Sequence, residues 1–248
     1  MTLNLYKRQD SQLYWVSENI IASEFPPLNS ALRDPDGLLA IGGDLSIPRL
    51  LDAYQRGIFP WYNSGQPVMW WSPDPRCILE LQDIHVSRSL GKTLRRKTFQ
   101  VTLDRDFSRV IHKCAAPRRD TAETWITSEL MESFIQLHEA GYAHSVECWQ
   151  DNHLVGGLYG LAMGRVFFGE SMFSDRPDAS KVALVHLGRF LKQQRFRIID
   201  CQVYSPHLRS LGAKPVQRKL FANMLKHYCY RRPHPEWPMT ELVYEQGT

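Results

Sequence analysis

Positions 166–173 read Val-Phe-Phe-Gly-Glu-Ser-Met-Phe, an order of side chains typical of a β-strand. Regular alternation predicts that Phe168, Glu170 and Met172 share one face of this strand. A carboxylate is seldom buried among large apolar neighbours unless it is paired, because losing its hydration is costly. Glu170 is therefore predicted to be either an exposed residue on an irregular strand or a carboxylate placed in a functional site.

A second polar strand lies downstream at 197–203, Arg-Ile-Ile-Asp-Cys-Gln-Val. Alternation predicts that Ile199 and Cys201 lie on an apolar face, and that Asp200 and Gln202 project together from the opposite face. For either polar residue alone, a half-exposed edge strand is the simpler interpretation. With Glu170 expected on a nearby strand, the three together favour a polar cluster in a cleft.

The segments around these two strands predict a mixed sheet covered by helices. A helix capped by Thr127 or Ser128 precedes strands at 144–150 and 154–162, and a helix starting near Asp178 or Ser180 separates the two polar strands. An earlier helix is expected between Ser46 and Gly57. The last helix is predicted at 214–230, with Pro215 in its first turn.

The amino-acid composition limits the classes of protein to which the chain can belong. The chain has 248 residues, a hydrophobic share of 43% and a net charge of +4, which is ordinary for a globular protein and permits an anionic partner. Its five cysteines are scattered and form no C-x-x-C pair, which argues against a zinc knuckle or a disulfide framework. No secretory segment and no run long enough to span a bilayer is evident, so a cytoplasmic protein is expected.

Two further segments each allow two interpretations. Aromatic residues are dense between Phe59 and Trp71, where core packing is the better explanation for most rings and base stacking for one or two. A basic run follows, which is either a solvated helix face or a contact with nucleic-acid phosphates. It comprises Arg88, Lys92, Arg95, Arg96 and Lys97.

Long ordered blocks of the chain resemble the leucyl/phenylalanyl-tRNA–protein transferase family. The matching segments include Gly-Leu-Leu-Ala-Ile-Gly-Gly-Asp-Leu-Ser (37–46), Trp-Trp-Ser-Pro-Asp-Pro-Arg (70–76), Gly-Glu-Ser-Met-Phe-Ser (169–174) and Ile-Asp-Cys-Gln-Val (199–203). The resemblance implies an α+β fold with a small N-terminal domain, 1–75, and a GNAT-like acyltransferase domain, 76–248, whose mixed β-sheet is flanked by helices. It also implies transfer of Leu or Phe, and also Met, from aminoacyl-tRNA to the α-amine of proteins with N-terminal Arg or Lys. Proteins so marked would enter N-end rule degradation.

The resemblance also implies roles for individual residues. Trp125 would stack on the terminal adenosine, and Trp61, Leu158, Phe167, Leu184 and Leu187 would form the pocket for the Leu or Phe side chain. Tyr54, Glu170, Asp200 and Gln202 would form the polar site, and Arg88 with its basic neighbours would hold the acceptor stem. Asp200 and Gln202 would relay the proton of the amine. Alternatively, Asp200 would pair with the cationic side chain of the acceptor, and Glu170 is a second candidate for this pairing. No cofactor and no metal is expected, and the protein is expected to be a monomer.

Two other classes of function share parts of this pattern. An acyl-CoA-dependent N-acetyltransferase has the same strand order, but it cradles pyrophosphate on a glycine-rich turn at a helix N-terminus. The corresponding segment, 176–181, contains no glycine. A non-catalytic RNA-binding protein would use the basic and aromatic segments, and it would leave the cluster of Glu170, Asp200 and Gln202 unexplained.

Overall fold

The computed structural model describes residues 13–17, 25–116, 124–230, 237 and 240–241. The strands are β1 (Tyr14–Val16), β2 (Leu38–Gly42), β3 (Phe59–Pro60), β4 (Met69–Trp71), β5 (Arg76–Glu80), β6 (Gln100–Leu103), β7 (Ala143–Gln150), β8 (His153–Met163), β9 (Val166–Ser174), β10 (Ile198–Gln202), β11 (Lys214–Val216) and β12 (Thr240–Glu241). The helices are α1 (Ile47–Arg56), α2 (Arg88–Arg95), α3 (Phe107–Ala115), α4 (Ser128–Glu139), α5 (Ala179–Gln193), α6 (Pro206–Ser210) and α7 (Arg218–Tyr228).

These strands form two sheets. A small sheet has the order β1-β2-β4-β3, and a large mixed sheet has the order β11-β5-β10-β9-β8-β7-β6-β12. The predicted architecture, a small N-terminal unit followed by a mixed sheet flanked by helices, is confirmed. The small sheet ends at Trp71 and the large one begins at Arg76. The boundary after residue 75 between two domains stays a prediction.

Local signals account for the helix ends. The side chain of Thr127 accepts a hydrogen bond from the backbone of Leu130 at the start of α4, as an N-cap does. Ser46 precedes α1, and Gly57 ends that helix in the left-handed conformation at φ 84°. Both predicted helices are confirmed.

The centre of the large sheet is the unit β9–α5–β10. Strands β9 and β10 pair in parallel only from Val166 opposite Ile198 to Phe168 opposite Asp200. Beyond these pairs β9 continues and β10 turns away. The two strands thus separate at their carboxyl ends, the position where open α/β sheets commonly bind ligands.

Both strands carry a β-bulge at this point of separation. On β9, Tyr159 pairs with Ser171 and Gly160 with Gly169, so Glu170 is the extra residue. A Cβ on Gly160 would collide with the carbonyl oxygen of Phe168, so a glycine is required at this bulge. Bulges re-aim side chains, and they are common next to active sites.

The bulge overturns one prediction about β9. Phe168 belongs to the hydrophobic cluster formed with α3, α4 and the small sheet, whereas Met172 packs against the cluster formed with α5. Phe168, Glu170 and Met172 therefore do not share a face. The extra residue shifts the alternation by one, which moves every following side chain to the other side of the sheet.

The predicted helix at 214–230 is also wrong at its start. Lys214–Val216 forms β11, which pairs with β5 at the edge of the large sheet, and the helix begins at Arg218. Pro215 lacks a backbone N–H, and an edge strand tolerates this because one side of it needs no partner. Within a helix, the same proline fits only the first turn. Both placements suit Pro215, so the sequence did not distinguish them.

Candidate active site

A cavity of about 610 Å³ opens where β9 and β10 separate. Its walls come from β8, β9, β10, α5, α6, β3 and the segments that follow β3 and precede α4. Because the two strands diverge, the cavity reaches side chains from both faces of the sheet. One half is apolar and the other half carries the polar groups.

The apolar half is built on β8, β9 and α5. Leu158, Phe167, Leu184 and Leu187 all line it, and each of the four is buried. The sequence analysis assigned these four residues and Trp61 to the amino-acid pocket, and the structure brings all five to one cavity. Burial of an apolar side chain against them is worth roughly 0.8 kcal/mol per methylene.

Glu170 is the carboxylate of the polar half. Its Oε1 accepts hydrogen bonds from the hydroxyl of Tyr54 on α1 and from Nε2 of Gln202 on β10, each at 2.8 Å. Burial raises the pKa of Glu170 to about 8, and the negative charge of Asp200 acts in the same direction. The two hydrogen bonds oppose this rise because they favour the charged carboxylate.

Asp200 is fully buried and does not line the cavity. Both of its oxygens bind Arg76 of β5, with Nε 2.8 Å from Oδ1 and Nη2 2.6 Å from Oδ2. The Arg76 guanidinium lies over the rings of Phe59 and Phe221, at 4.7 and 4.9 Å from their centroids. This geometry is a bidentate ion pair in an aromatic enclosure.

A second bulge lies between Asp200 and Gln202, and their projection from one face stays a prediction. Asp200 pairs with Ile78 and Gln202 with Cys77, so Cys201 is the extra residue on β10. The backbone N–H of Gln202 donates to Oδ1 of Asp200 at 3.0 Å, and Gln202 adopts a left-handed φ of 55°. The Gln202 side chain binds Glu170 at the cavity, while the Asp200 carboxylate binds Arg76.

Two tryptophans lie at the cavity wall. Trp61 is exposed and packs against Trp71, whose Nε1 donates to the carbonyl oxygen of Trp61 at 2.6 Å. Trp125 is half-buried just before α4. Both rings border the cavity, where flat aromatic faces are suited to stacking on a nucleobase.

Comparison with known proteins identifies the family. The family model described as leucyl/phenylalanyl-tRNA protein transferase matches residues 78–226, and the model of its N-terminal domain matches residues 43–74. The chain belongs to the leucyl/phenylalanyl-tRNA–protein transferase family. The resemblance inferred from the sequence is thereby confirmed.

Relatives with this family's name align over most of the chain. The protein of Pseudomonas fluorescens strain Pf-5 is 55% identical over 216 residues, which cover 87% of this chain and 95% of the relative. The Azoarcus sp. strain BH72 protein is 54% identical over 217 residues, or 87% of this chain and 92% of the relative. Among solved structures, L-PGS from Bacillus licheniformis has a TM-score of 0.39 at 10% identity, over 60% of this chain and 48% of that one.

The predicted tRNA-binding residues lie outside the cavity. Arg88, Lys92 and Arg95 are on α2, and Arg96 and Lys97 follow it; all five are exposed. Helix α2 packs on α5, and Thr93 donates to the carboxylate of Asp178 at 3.2 Å. The basic face is thus attached to the helix that forms part of the pocket.

Sequence reasoning missed several residues of the site. Met172, Ile199 and Cys201 line the cavity, and so do His207 and Leu208 of α6. Burial lowers the pKa of His207, and the charge of Lys181 contributes to this decrease. Met172 follows the bulge on β9 and Cys201 is the extra residue on β10, and neither bulge has a signal in strand periodicity.

One group of side chains could hold a metal ion among the residues that the structure describes. Ligand atoms of Asp104, His138 and His144 lie within 4.8 Å of one another. Nδ1 of His144 is 2.7 Å from Oδ2 of Asp104, and none of the three residues lines the cavity. This group does not belong to the candidate active site, and the expectation that the reaction needs no metal or cofactor stays a prediction.

Proposed function

We propose that the protein transfers leucine or phenylalanine from aminoacyl-tRNA to the N-terminal α-amine of a protein. The observation that carries this proposal is the pairing of an apolar pocket, bordered by two tryptophans, with a buried polar group in one cavity. Membership of the family supports the same activity, since the relatives that cover most of the chain are named for it.

The chemistry needs little beyond positioning. The acceptor's α-amine attacks the carbonyl carbon of the aminoacyl ester, a C–N bond forms, and the C–O bond to the ribose breaks. The released ribose oxygen takes up a proton, and the amine loses one. An α-amine has a reference pKa of about 8, so a useful fraction is neutral at pH 7. Orientation beside the ester can supply on the order of 7–11 kcal/mol.

The polar residues divide this task. Glu170 and Gln202 face the reacting groups, and Glu170 forms a hydrogen bond with a substrate amine. Asp200 positions Gln202 through the backbone hydrogen bond at the bulge, and Arg76 holds Asp200 in place. The alternative assignment, a proton relay through Asp200, requires this ion pair to open during turnover.

The pocket accommodates the amino acid, and α2 approaches the tRNA. The side chain of Leu, Phe or Met is held by the apolar pocket, and Trp125 stacks on the terminal adenosine. The pocket consists of Leu158, Phe167, Leu184 and Leu187, with Trp61. The basic residues of α2 contact phosphates of the acceptor stem. Acceptors carry an N-terminal Arg or Lys, and the product is marked for degradation. The enzyme acts as a monomer.

Among the residues that the structure describes, no helix has the length and apolar character needed to cross a membrane. Both proposed substrates, tRNA and protein, are polar macromolecules. The proposal therefore involves no membrane component.

The deciding experiment measures transfer of labelled leucine from charged tRNA to a peptide that begins with Arg. We expect incorporation of label with Arg or Lys at the peptide's N-terminus and none with Asp or an acetylated N-terminus. No label in any peptide, with tRNA that is verifiably charged, would refute the proposed activity. A peptide with Met at its N-terminus is a control for acceptor specificity.

A further inference from the structure

Two cysteines lie next to each other at the cavity. Cys201 is the extra residue of the bulge on β10, and it lines the cavity in a half-buried position. Cys77 of β5 is only 1% exposed. The two side chains are hydrogen-bonded to each other, and both thiols are free. The proposed function uses neither of them.

Strand pairing brings these two residues together. Strands β5 and β10 are antiparallel, and Cys77 pairs with Gln202 next to the bulge. In a bulge, two residues of one strand oppose one residue of the other, so Cys77 faces Cys201 as well. Both side chains contact the hydrophobic cluster formed with α5, which puts them on one face of the sheet. Opposed residues of antiparallel strands have Cα atoms about 4.5–5.5 Å apart, which is within the range of about 4.4–6.8 Å that a disulfide spans.

The two thiols differ in access and share a proton. Small molecules in the cavity reach Cys201, whereas Cys77 is shielded from them. The hydrogen bond from Cys201 lowers the pKa of Cys77, with a smaller contribution from the guanidinium of Arg76, while burial and the charge of Asp200 oppose this decrease. Two thiols that share a proton ionise as a pair, so the charge can lie on either sulfur. An accessible thiol with a second thiol beside it is the usual arrangement at redox-sensitive sites.

We propose that Cys77 and Cys201 are oxidised to a disulfide by hydrogen peroxide, and that this bond reversibly inactivates the cavity. The effect on activity rests on the proposed function, whereas formation of the bond does not. A pair of this kind in a reducing compartment is typically a transient redox sensor.

The oxidation proceeds in two steps. The Cys201 thiolate attacks one oxygen of the peroxide, an S–O bond forms, the O–O bond breaks, and the leaving hydroxide takes up the thiol proton as water. The product is a sulfenic acid. The sulfur of Cys77 then attacks the sulfur of Cys201, the S–S bond forms, the S–O bond breaks, and hydroxide leaves with the proton of Cys77 as a second water. The two thiols together lose two electrons, and these reduce the peroxide.

The bond would alter the polar half of the cavity. Cys201 lies between Asp200 and Gln202, which are joined by the backbone hydrogen bond of 3.0 Å, and Gln202 also donates to Glu170. An S–S bond of about 2.05 Å is shorter than any noncovalent contact of two sulfurs, so it draws the bulge toward β5. A displacement of about 1 Å in a catalytic arrangement can lower the rate by on the order of 10²-fold.

The test treats the full chain with hydrogen peroxide and maps its disulfides by mass spectrometry of unreduced peptides. We expect one linked pair of peptides, which contain Cys77 and Cys201; the buried cysteines Cys114, Cys148 and Cys229 are internal controls. Leucine transfer by the linked protein should fall on the order of 10²-fold and return on reduction with dithiothreitol. Absence of this linked pair would overturn the proposal, and so would full activity of the linked protein.

Cys77→Ala removes the partner thiol and keeps Cys201. Cys77 does not line the cavity, so transfer before oxidation should match that of the unsubstituted protein. After peroxide, Cys201 should be oxidised further to sulfinic acid, which dithiothreitol does not reduce, and the loss of activity should be irreversible. Recovery of this variant to the same extent as the unsubstituted protein would contradict a disulfide switch.

Cys148→Ala is the matched control. Cys148 is a buried cysteine of the same hydrophobic cluster, and it lies opposite Val101 and Gly156. This variant should be inactivated and rescued like the unsubstituted protein, and loss of the response here would overturn the assignment to Cys77 and Cys201. The linked peptides are measured on the unsubstituted protein, so that result does not depend on the folding of a variant. Absence of transfer by the untreated protein would refute the proposed function and leave the disulfide measurement standing.

Discussion

At the scale of single residues, the site contains two carboxylates in contrasting surroundings. Glu170 is buried with neutral donors and has a raised pKa, whereas Asp200 is held by a guanidinium. Pairs of titratable groups in contrasting environments are a recurring feature of active sites. Each carboxylate leads to a separate prediction.

The raised pKa of Glu170 predicts a pH dependence of stability. The folded protein holds this proton up to about pH 8, whereas the unfolded chain releases it near 4.5. The contribution to the free energy of unfolding is thus fully present below about pH 4.5 and is lost as the pH rises through 8. Glu170→Gln mimics the protonated carboxyl and should flatten the decline between these two values. Urea unfolding of both proteins across this range measures it, and parallel curves would contradict the raised pKa.

The ion pair of Arg76 and Asp200 predicts strong coupling between the two positions. Arg76→Gln or Asp200→Asn alone leaves a buried charge unpaired, which typically costs about 3–5 kcal/mol of stability. The double substitution removes both charges and should cost clearly less than the sum of the two. A double-mutant cycle by urea unfolding gives the coupling free energy. Strict additivity would show that the pair is not formed in solution.

The same cycle separates two roles of Asp200. If Asp200 acts by positioning Gln202, the double variant should recover part of the transfer rate lost in Asp200→Asn, because Asn can still accept the backbone N–H of Gln202. If Asp200 takes a proton from the amine, both variants that lack its carboxylate should be equally inactive. We expect partial recovery.

At the scale of elements, two adjacent bulges make the site. They lie where β9 and β10 part, and the side chain of Gln202 binds Glu170 there. Helix α2 lies next to this unit. Its basic face is exposed, and its other side packs on α5. The contribution of this basic face to tRNA binding can be tested by removing its charges.

Neutralising Arg95, Arg96 and Lys97 to Gln should weaken tRNA binding and reduce its salt dependence. Each lost phosphate contact lowers the slope of log affinity against log salt by about 0.9 on duplex. The measurement is tRNA affinity over a series of salt concentrations. The control has the same change in charge at the exposed residues Lys192, Arg197 and Lys219. Equal slopes for the two triple variants would show that the basic residues of this run are only solvated and do not contact tRNA phosphates.

At the scale of the whole molecule, the site needs the small sheet and the large sheet together. The large sheet supplies Glu170, Gln202 and the apolar pocket, and Trp61 comes from the segment after β3 of the small sheet. Tyr54 of α1 reaches Glu170 across 116 positions of the chain. One hydrophobic cluster includes residues of both sheets, so packing holds these contributions together.

The shape of the assembled pocket predicts its selectivity. Leu158, Phe167, Leu184 and Leu187 should accept Leu, Phe and Met by burial, at roughly 0.8 kcal/mol per methylene, and should exclude Ile and Val by their branching at Cβ. Apolar pockets separate near neighbours by only ~1–3 kcal/mol, so the preference is finite. Competition among tRNAs charged with these five amino acids at equal concentration measures it. Transfer of Ile or Val at the rate of Leu would contradict this pocket.

The sequence by itself determined the family, the order of the central strands and helices, and the residue types of the amino-acid pocket. These features are local: caps such as Thr127 and Gly57 and the periodicity of α4 or α5 are properties of a few neighbouring residues. Leu158, Phe167, Leu184 and Leu187 could be assigned to one pocket only because the family resemblance grouped them. Periodicity alone places them in the core and says nothing of a cavity.

Only the tertiary structure decided where the polar groups point and what they bind. Alternation predicts a common face for Asp200 and Gln202, but it predicts neither the extra residue between them on β10 nor the bond from Gln202 to Glu170. Asp200 finds its partner, Arg76, 124 positions earlier in the chain, and Tyr159 is left with a hydroxyl that no described residue binds. A bulge depends on pairing with neighbouring strands, and an ion pair depends on where distant strands meet. Neither can therefore be predicted from the spacing of nearby residues.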